Sequence, residues 1–199
     1  RLGGYIDVQN MYESARNLFN NKVNFGNIVK KSVGDRQLIR AIAYVVSTKT
    51  GENQPFFDAL WNLGIEAKEK ELMEYESGQK KADWDVGLTI DAIENADNLD
   101  VIVIVSGDGD YVPLVKHLQH KGKIVEAAAF RETTATRLLD AVGKENYTNL
   151  SENKRSFLIA ERRGRKKDDT PELKTAETTA KAPTQRANST AAEAAPTAK

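Results

Sequence analysis

Cysteine is absent from the 199-residue chain, so neither a disulfide framework nor a thiolate metal site is open to it. Histidine is nearly absent. His117 and His120 are the two present, which argues against a His-rich zinc centre. Net charge is absent too, because 29 basic residues offset 29 acidic ones. No apolar run approaches the ~20 residues of a membrane span, and no secretory signal pattern is visible. These absences lead to an expectation of a cytoplasmic protein with no membrane partner. Proline is sparse, and three of the five lie at Pro171, Pro183 and Pro196.

What is present is enough apolar residue for one core: 40% of the chain. Up to residue 150 the sequence alternates between strand-like and helix-like stretches. Strands are expected at Tyr5–Val8, Gln37–Ser47, Ile65–Met73, Val101–Val105, Ile124–Phe130 and Tyr147–Leu150. Between them fall helices at Met11–Phe19, Phe25–Val33, Gln54–Leu63, Trp84–Ala96, Tyr111–His120 and Thr134–Val142. In the Trp84–Ala96 helix, Val86, Ile90 and Ile93 form the expected apolar stripe. Val101–Val105 is a continuous apolar run, as in a strand covered on both faces. The alternation predicts an α/β fold, a three-layer α/β/α sandwich with a mainly parallel sheet. In such sheets the functional crevice lies beyond the carboxyl ends of the strands, which points to Asp7, Ser47, Asp108 and Arg131.

From Ser151 the composition shifts to Thr, Ala, Pro, Lys and Glu, with few large apolar residues. Residues 151–199 are expected to be a low-complexity, disordered tail, carrying a basic cluster at 162–167 (RRGRKK, Arg162 to Lys167).

The chemistry lies in the acids. Asp7 ends the first strand and Asn10 follows three residues on. Asp83 and Asp85 open a helix that also carries Asp91. Asp108 and Asp110 follow the Val101–Val105 strand within SGDGD. Aspartate is a common helix cap, and Asp83 fits that plainer role. A cap needs one aspartate, however, and does not account for two flanking a glycine. Three or four carboxylates without His or Cys form the ligand set of a hard cation such as Mg²⁺ or Mn²⁺. The matching reaction is hydrolysis of a phosphodiester. Asn10 and Ser106 would orient a carboxylate or a water. A phosphatase or phosphotransferase using an Asp nucleophile is a weaker alternative, because no catalytic Thr or Lys block follows.

The stretches YIDVQN, KKADWDVGLTIDAI and VIVIVSGDGDYVPLVKHLQHKGKIVE resemble the signature blocks of NYN domains, of the LabA-like group in the PIN-like nuclease superfamily. The resemblance spans roughly residues 3–150. It implies a PIN-like α/β/α fold over residues 1–150 and a metal-dependent endoribonuclease acting on single-stranded or structured RNA. It also implies Asp7, Asn10, Asp85, Asp108 and Asp110 as catalytic residues, with the four aspartates holding Mg²⁺ or Mn²⁺. Ser106, Asp83 and Asp91 are supporting candidates. Lys49, Lys81 and Arg131 are candidate RNA contacts, and a second copy of the chain is a candidate partner. The rival expectation is a non-catalytic RNA-binding or regulatory module that keeps the fold and uses the acids as a structural cation site.

Overall fold

A computed structural model describes residues 1–47, 53–71, 73–74, 80–81 and 83–159. Its main sheet has six parallel strands. In chain order these are β1 (Leu2–Asp7), β2 (Leu38–Ser47), β3 (Glu66–Glu71), β6 (Val101–Val105), β7 (Ile124–Ala129) and β8 (Tyr147–Asn149). The short strands β4 (Met73–Glu74) and β5 (Lys80–Lys81) pair antiparallel with each other. The helices are α1 (Val8–Phe19), α2 (Phe25–Val33), α3 (Gln54–Asn62), α4 (Asp85–Asn95), α5 (Val112–His120), α6 (Thr136–Val142) and α7 (Lys154–Phe157).

Side chains alternate between the two faces of a strand, and the core follows that period. Val101, Val103 and Val105 of β6 join Ala41, Ala43 and Val45 of β2 under α1, α2, α3 and α7. Ile102 and Ile104 join Ile42 and Tyr44 under α4, α5 and α6. The result is the expected α/β/α sandwich. The β1 strand starts earlier than expected, at Leu2 rather than Tyr5, and passes through two glycines. Gly3 packs where a Cβ would lie 2.4 Å from Leu99 Cδ1, so a residue of poor strand propensity is needed for close approach.

The strand order is β3-β2-β1-β6-β7-β8. The chain builds outward from β1 in one direction, then returns to β1's other side and builds the opposite way. The order therefore reverses between β1 and β6, where Ile6 lies opposite Val105. A crevice forms at such a reversal, beyond the strands' carboxyl ends.

Two expectations need correcting. Of the Val86–Ile90–Ile93 stripe of α4, Ile93 packs partly buried against the core, but Val86 and Ile90 do not. Leu88 and Ala92 are the buried residues, while Val86 is 68% and Ile90 49% exposed. Asp85 shares a face with Leu88 and Ala92, at spacings of three and seven residues. The small Ala92 and Ala96, both fully buried, let the helix sit close to the sheet with Asp85 turned toward it. The second correction concerns residue 150 as the end of the folded part. Residues 151–159 continue the fold: α7 places Phe157 in the core, and Leu158 bridges to Val23. The rest of the expected tail, with its basic cluster, lies outside the described residues, as does Lys49.

Candidate metal centre

Each acid reaches the crevice by its own local device. Asp7 terminates β1 and caps α1, its Oδ1 accepting the Asn10 backbone N–H at 3.0 Å. Asp108 follows β6 and caps a turn of 3₁₀ helix, its Oδ1 accepting the Asp110 N–H at 2.9 Å. Asp85 is the first residue of α4. Trp84 sets that entry point. Its indole N–H donates to the Val45 carbonyl at 2.9 Å, its ring tilts against Tyr44, and Gly87 leaves room for it.

The structure brings Asp85, Asp108 and Asp110 together, with one carboxylate oxygen from each lying within 4.8 Å of the others. Asp7 joins this trio through Tyr111. The buried phenol lies 3.0 Å from Asp85 Oδ1 and 3.3 Å from Asp7 Oδ2. A phenol has one proton, so it can donate to only one of them at a time. Ser106, fully buried, connects Asp7 to the next loop: its Oγ donates to Asp7 Oδ2 at 3.3 Å and accepts the Asp108 N–H at 3.1 Å. Asn10 acts here as an acceptor. Its Oδ1 takes the Gly107 N–H at 2.9 Å and ties the loop after β6 to α1.

The electrostatics reflect crowding of like charge. Burial pushes the Asp7 carboxyl up to about 6, and Asp85 adds to the shift. Asp85 is also raised, first by burial and then by Asp108, Asp83 and Asp110. Tyr111, buried between two carboxylates, is raised well above the ordinary phenol range and keeps its proton. An all-oxygen donor set with mutually destabilised charges fits a hard divalent cation better than a soft one.

The remaining candidates fall elsewhere. Asp91 does not reach this cluster. It accepts from Tyr44 Oη at 2.7 Å and Lys68 Nζ at 2.6 Å, and these partners hold its carboxyl below the usual range despite burial. Asp83 is exposed and does not cap α4, which begins without a side-chain cap. Its charge still acts on Asp85. Ser47 ends β2 but bonds Glu69. Arg131 follows β7 on the carboxyl side of the sheet and is exposed. Lys81 lies in β5, where side chains fall outside the description.

Two participants were not expected from the sequence. Tyr111 bridges two acids. Its position directly after GDGD was the available signal. Arg137, the second residue of α6, pairs with Asp110 at 2.5 Å. Nothing in the sequence linked it to an acid 27 residues away. Neither Gly107 nor Gly109 adopts positive φ. They are needed for space. A Cβ at Gly107 would lie 3.0 Å from the Thr133 carbonyl oxygen, and one at Gly109 would lie 2.0 Å from Arg137 Nε.

The profile of the NYN domain family matches residues 1–148. The low amplitude and bright protein LabA of Synechococcus elongatus is 27% identical over 128 residues, which span 61% of this chain and 67% of LabA. A crystal structure of a protein of unknown function from Vibrio parahaemolyticus is similar with a TM-score of 0.71 and 28% identity, covering 79% of this chain and 95% of that one.

Proposed function

The chain belongs to the NYN domain family, in its LabA-like group, and on that premise we propose that it is a divalent-metal-dependent ribonuclease, an endonuclease acting on single-stranded or structured RNA. One observation carries the reading. Asp85 at the start of α4 meets Asp108 and Asp110 of the loop after β6 within 4.8 Å, with Asp7 one hydrogen-bonded step away. Membership alone would be compatible with a lost site, and the grouping of these acids supports a retained one.

In this proposal Asp85, Asp108 and Asp110 would hold Mg²⁺ or Mn²⁺, and Asp7 completes the acidic set. A cation so held supplies charge neutralisation and an acidified water. The rest is the work of the chain. Ser106 and Asn10 hold the Asp108 loop against the end of β1. Tyr111 keeps a proton between Asp7 and Asp85, which limits their repulsion. Arg131, Lys81 and Lys49 are proposed contacts to the RNA backbone, and the cytoplasm is the proposed setting.

The test is incubation of purified protein with labelled RNAs in Mg²⁺, Mn²⁺ or EDTA, beside Asp7→Asn and Asp108→Asn. Cleavage by the wild type in metal alone, lost in both variants, is expected. Cleavage that survives EDTA or both substitutions would overturn the proposal. RNA binding without cleavage across varied substrates would instead favour the non-catalytic binding module.

A further inference from the structure

Among the described residues, Arg137 is the one cation bonded to a carboxylate of the cluster. Its placement is specific. Asp110 Oδ1 lies 2.5 Å from Nη2. The aliphatic stem crosses directly over Gly109, where a Cβ would come within 2.9 Å of both Cγ and Cδ. The helix that carries it is anchored to the same loop, since the Ala135 N–H donates to the Gly107 carbonyl at 2.9 Å. The next residue, Leu138, is fully buried. Arginine, acid loop and glycine therefore form one unit.

Neutralising Asp110 does not by itself require this arrangement. Both partners are nearly two-thirds exposed, at 63% and 65%, and an exposed pair contributes little to stability. A lysine elsewhere on the surface would do as much. A guanidinium has five N–H donors in a planar fork, and one is used on Asp110. Among the described residues the others make no hydrogen bond, and the side chain stays largely open to solvent beside Asp110. A planar fork matches two phosphate oxygens as well as two carboxylate oxygens. Three clustered acids would otherwise repel an approaching polyanion.

We propose that Arg137 is the phosphate-binding residue of this site, held over Gly109 by Asp110 so that its free guanidinium edge contacts the RNA backbone next to the carboxylate trio. The inference rests on the ribonuclease reading for its substrate class, but it is read out by binding, not cleavage. Gly109 is part of the device: its missing side chain leaves the path that Arg137 occupies.

The experiment compares wild type, Arg137→Ala, Arg137→Lys and Gly109→Ala as full chains, with a thermal melt of each to confirm folding. Binding of a fluorescein-labelled single-stranded RNA is read by anisotropy in Mg²⁺ at several salt concentrations, before cleavage is detectable on a gel. Arg137→Ala is expected to weaken binding by about fivefold to tenfold and to lower the slope of log K against log salt by about 0.7, the value for one phosphate contact on a single strand. Arg137→Lys should keep the slope. Gly109→Ala, which retains the arginine but blocks its path, should behave like Arg137→Ala. Equal affinity and slope for wild type and Arg137→Ala would overturn the inference, even where the wild type cleaves RNA. A wild type that binds with the expected slope difference but never cleaves would overturn the ribonuclease reading and leave the Arg137 contact standing. A wild type that neither binds nor cleaves would overturn both.

Discussion

Removing the charge of Asp7 should stabilise the metal-free protein at neutral pH. The carboxyl is raised from 3.8 to about 6, chiefly by burial. At 1.36 kcal/mol per unit the rise corresponds to about 3 kcal/mol of penalty on the ionised form. The sign follows from proton linkage. A folded-state pKa above the unfolded value means that the native state holds the proton more tightly, so this contribution to stability is fully present below pH 4 and is lost as pH rises through 6. Asp7→Asn removes the penalty. Asparagine caps a helix about as well as aspartate, so the bond to Asn10 N–H survives. Loss of a charge at the α1 N-terminus returns about 0.3–1 kcal/mol. The net expectation in EDTA at pH 7.5 is a gain of about 2 kcal/mol, shrinking by about 2 kcal/mol at pH 4.5. Urea unfolding followed by circular dichroism measures both values. Adding Mg²⁺ should stabilise wild type more than the variant, because only ionised Asp7 gains from a nearby cation. A variant less stable than wild type at pH 7.5, or a difference that does not change with pH, would refute the reasoning.

Tyr111→Phe deletes the hydroxyl shared by Asp7 and Asp85. It should cost at least about 1–3 kcal/mol in urea unfolding, the range for a buried acceptor left without its donor and more for a charged one, and should lower cleavage further than it lowers RNA binding. Asn10→Ala strands the Gly107 N–H and should cost about 1–3 kcal/mol. If it also spares cleavage, the loop does not need that tie. Phe157→Ala should destabilise by about 3–5 kcal/mol, because the ring is 5% exposed within the core. A loss under 1 kcal/mol would restore residue 150 as the end of the folded part.

The sandwich was legible because strand burial leaves a simple mark. Val101–Val105 is apolar at every position, and in the structure both of its faces are covered. Ile65–Met73 alternates with charge, and β3 is an edge strand. Periodicity misled at α4. A stripe of Val86, Ile90 and Ile93 is more apolar than Leu88 with two alanines, so a hydrophobicity count selects the wrong face. Packing selected the small residues and the acid beside them. Phe157 was hidden for a related reason: one aromatic in a polar stretch is a weak signal, yet a single deep contact is enough to hold a short helix.

The acids were legible because each needed only a strand end or a helix start, and both are read from local sequence. Their supports were not, because each support spans the chain. Asn10 meets Gly107 across 97 residues, and Tyr111 meets Asp7 across 104. Such contacts depend on β1 lying beside β6, a fact of topology that no local pattern carries. The two glycines show the limit most directly. In a sequence, a need for backbone freedom and a need for space select glycine alike. The structure separates them. Ordinary φ at both positions removes the backbone argument, while the close approach of Thr133 and Arg137 supplies a steric one. The acid pair is thus spaced by glycine because other chain segments must pass over the loop. One of those segments brings the arginine that pairs with Asp110.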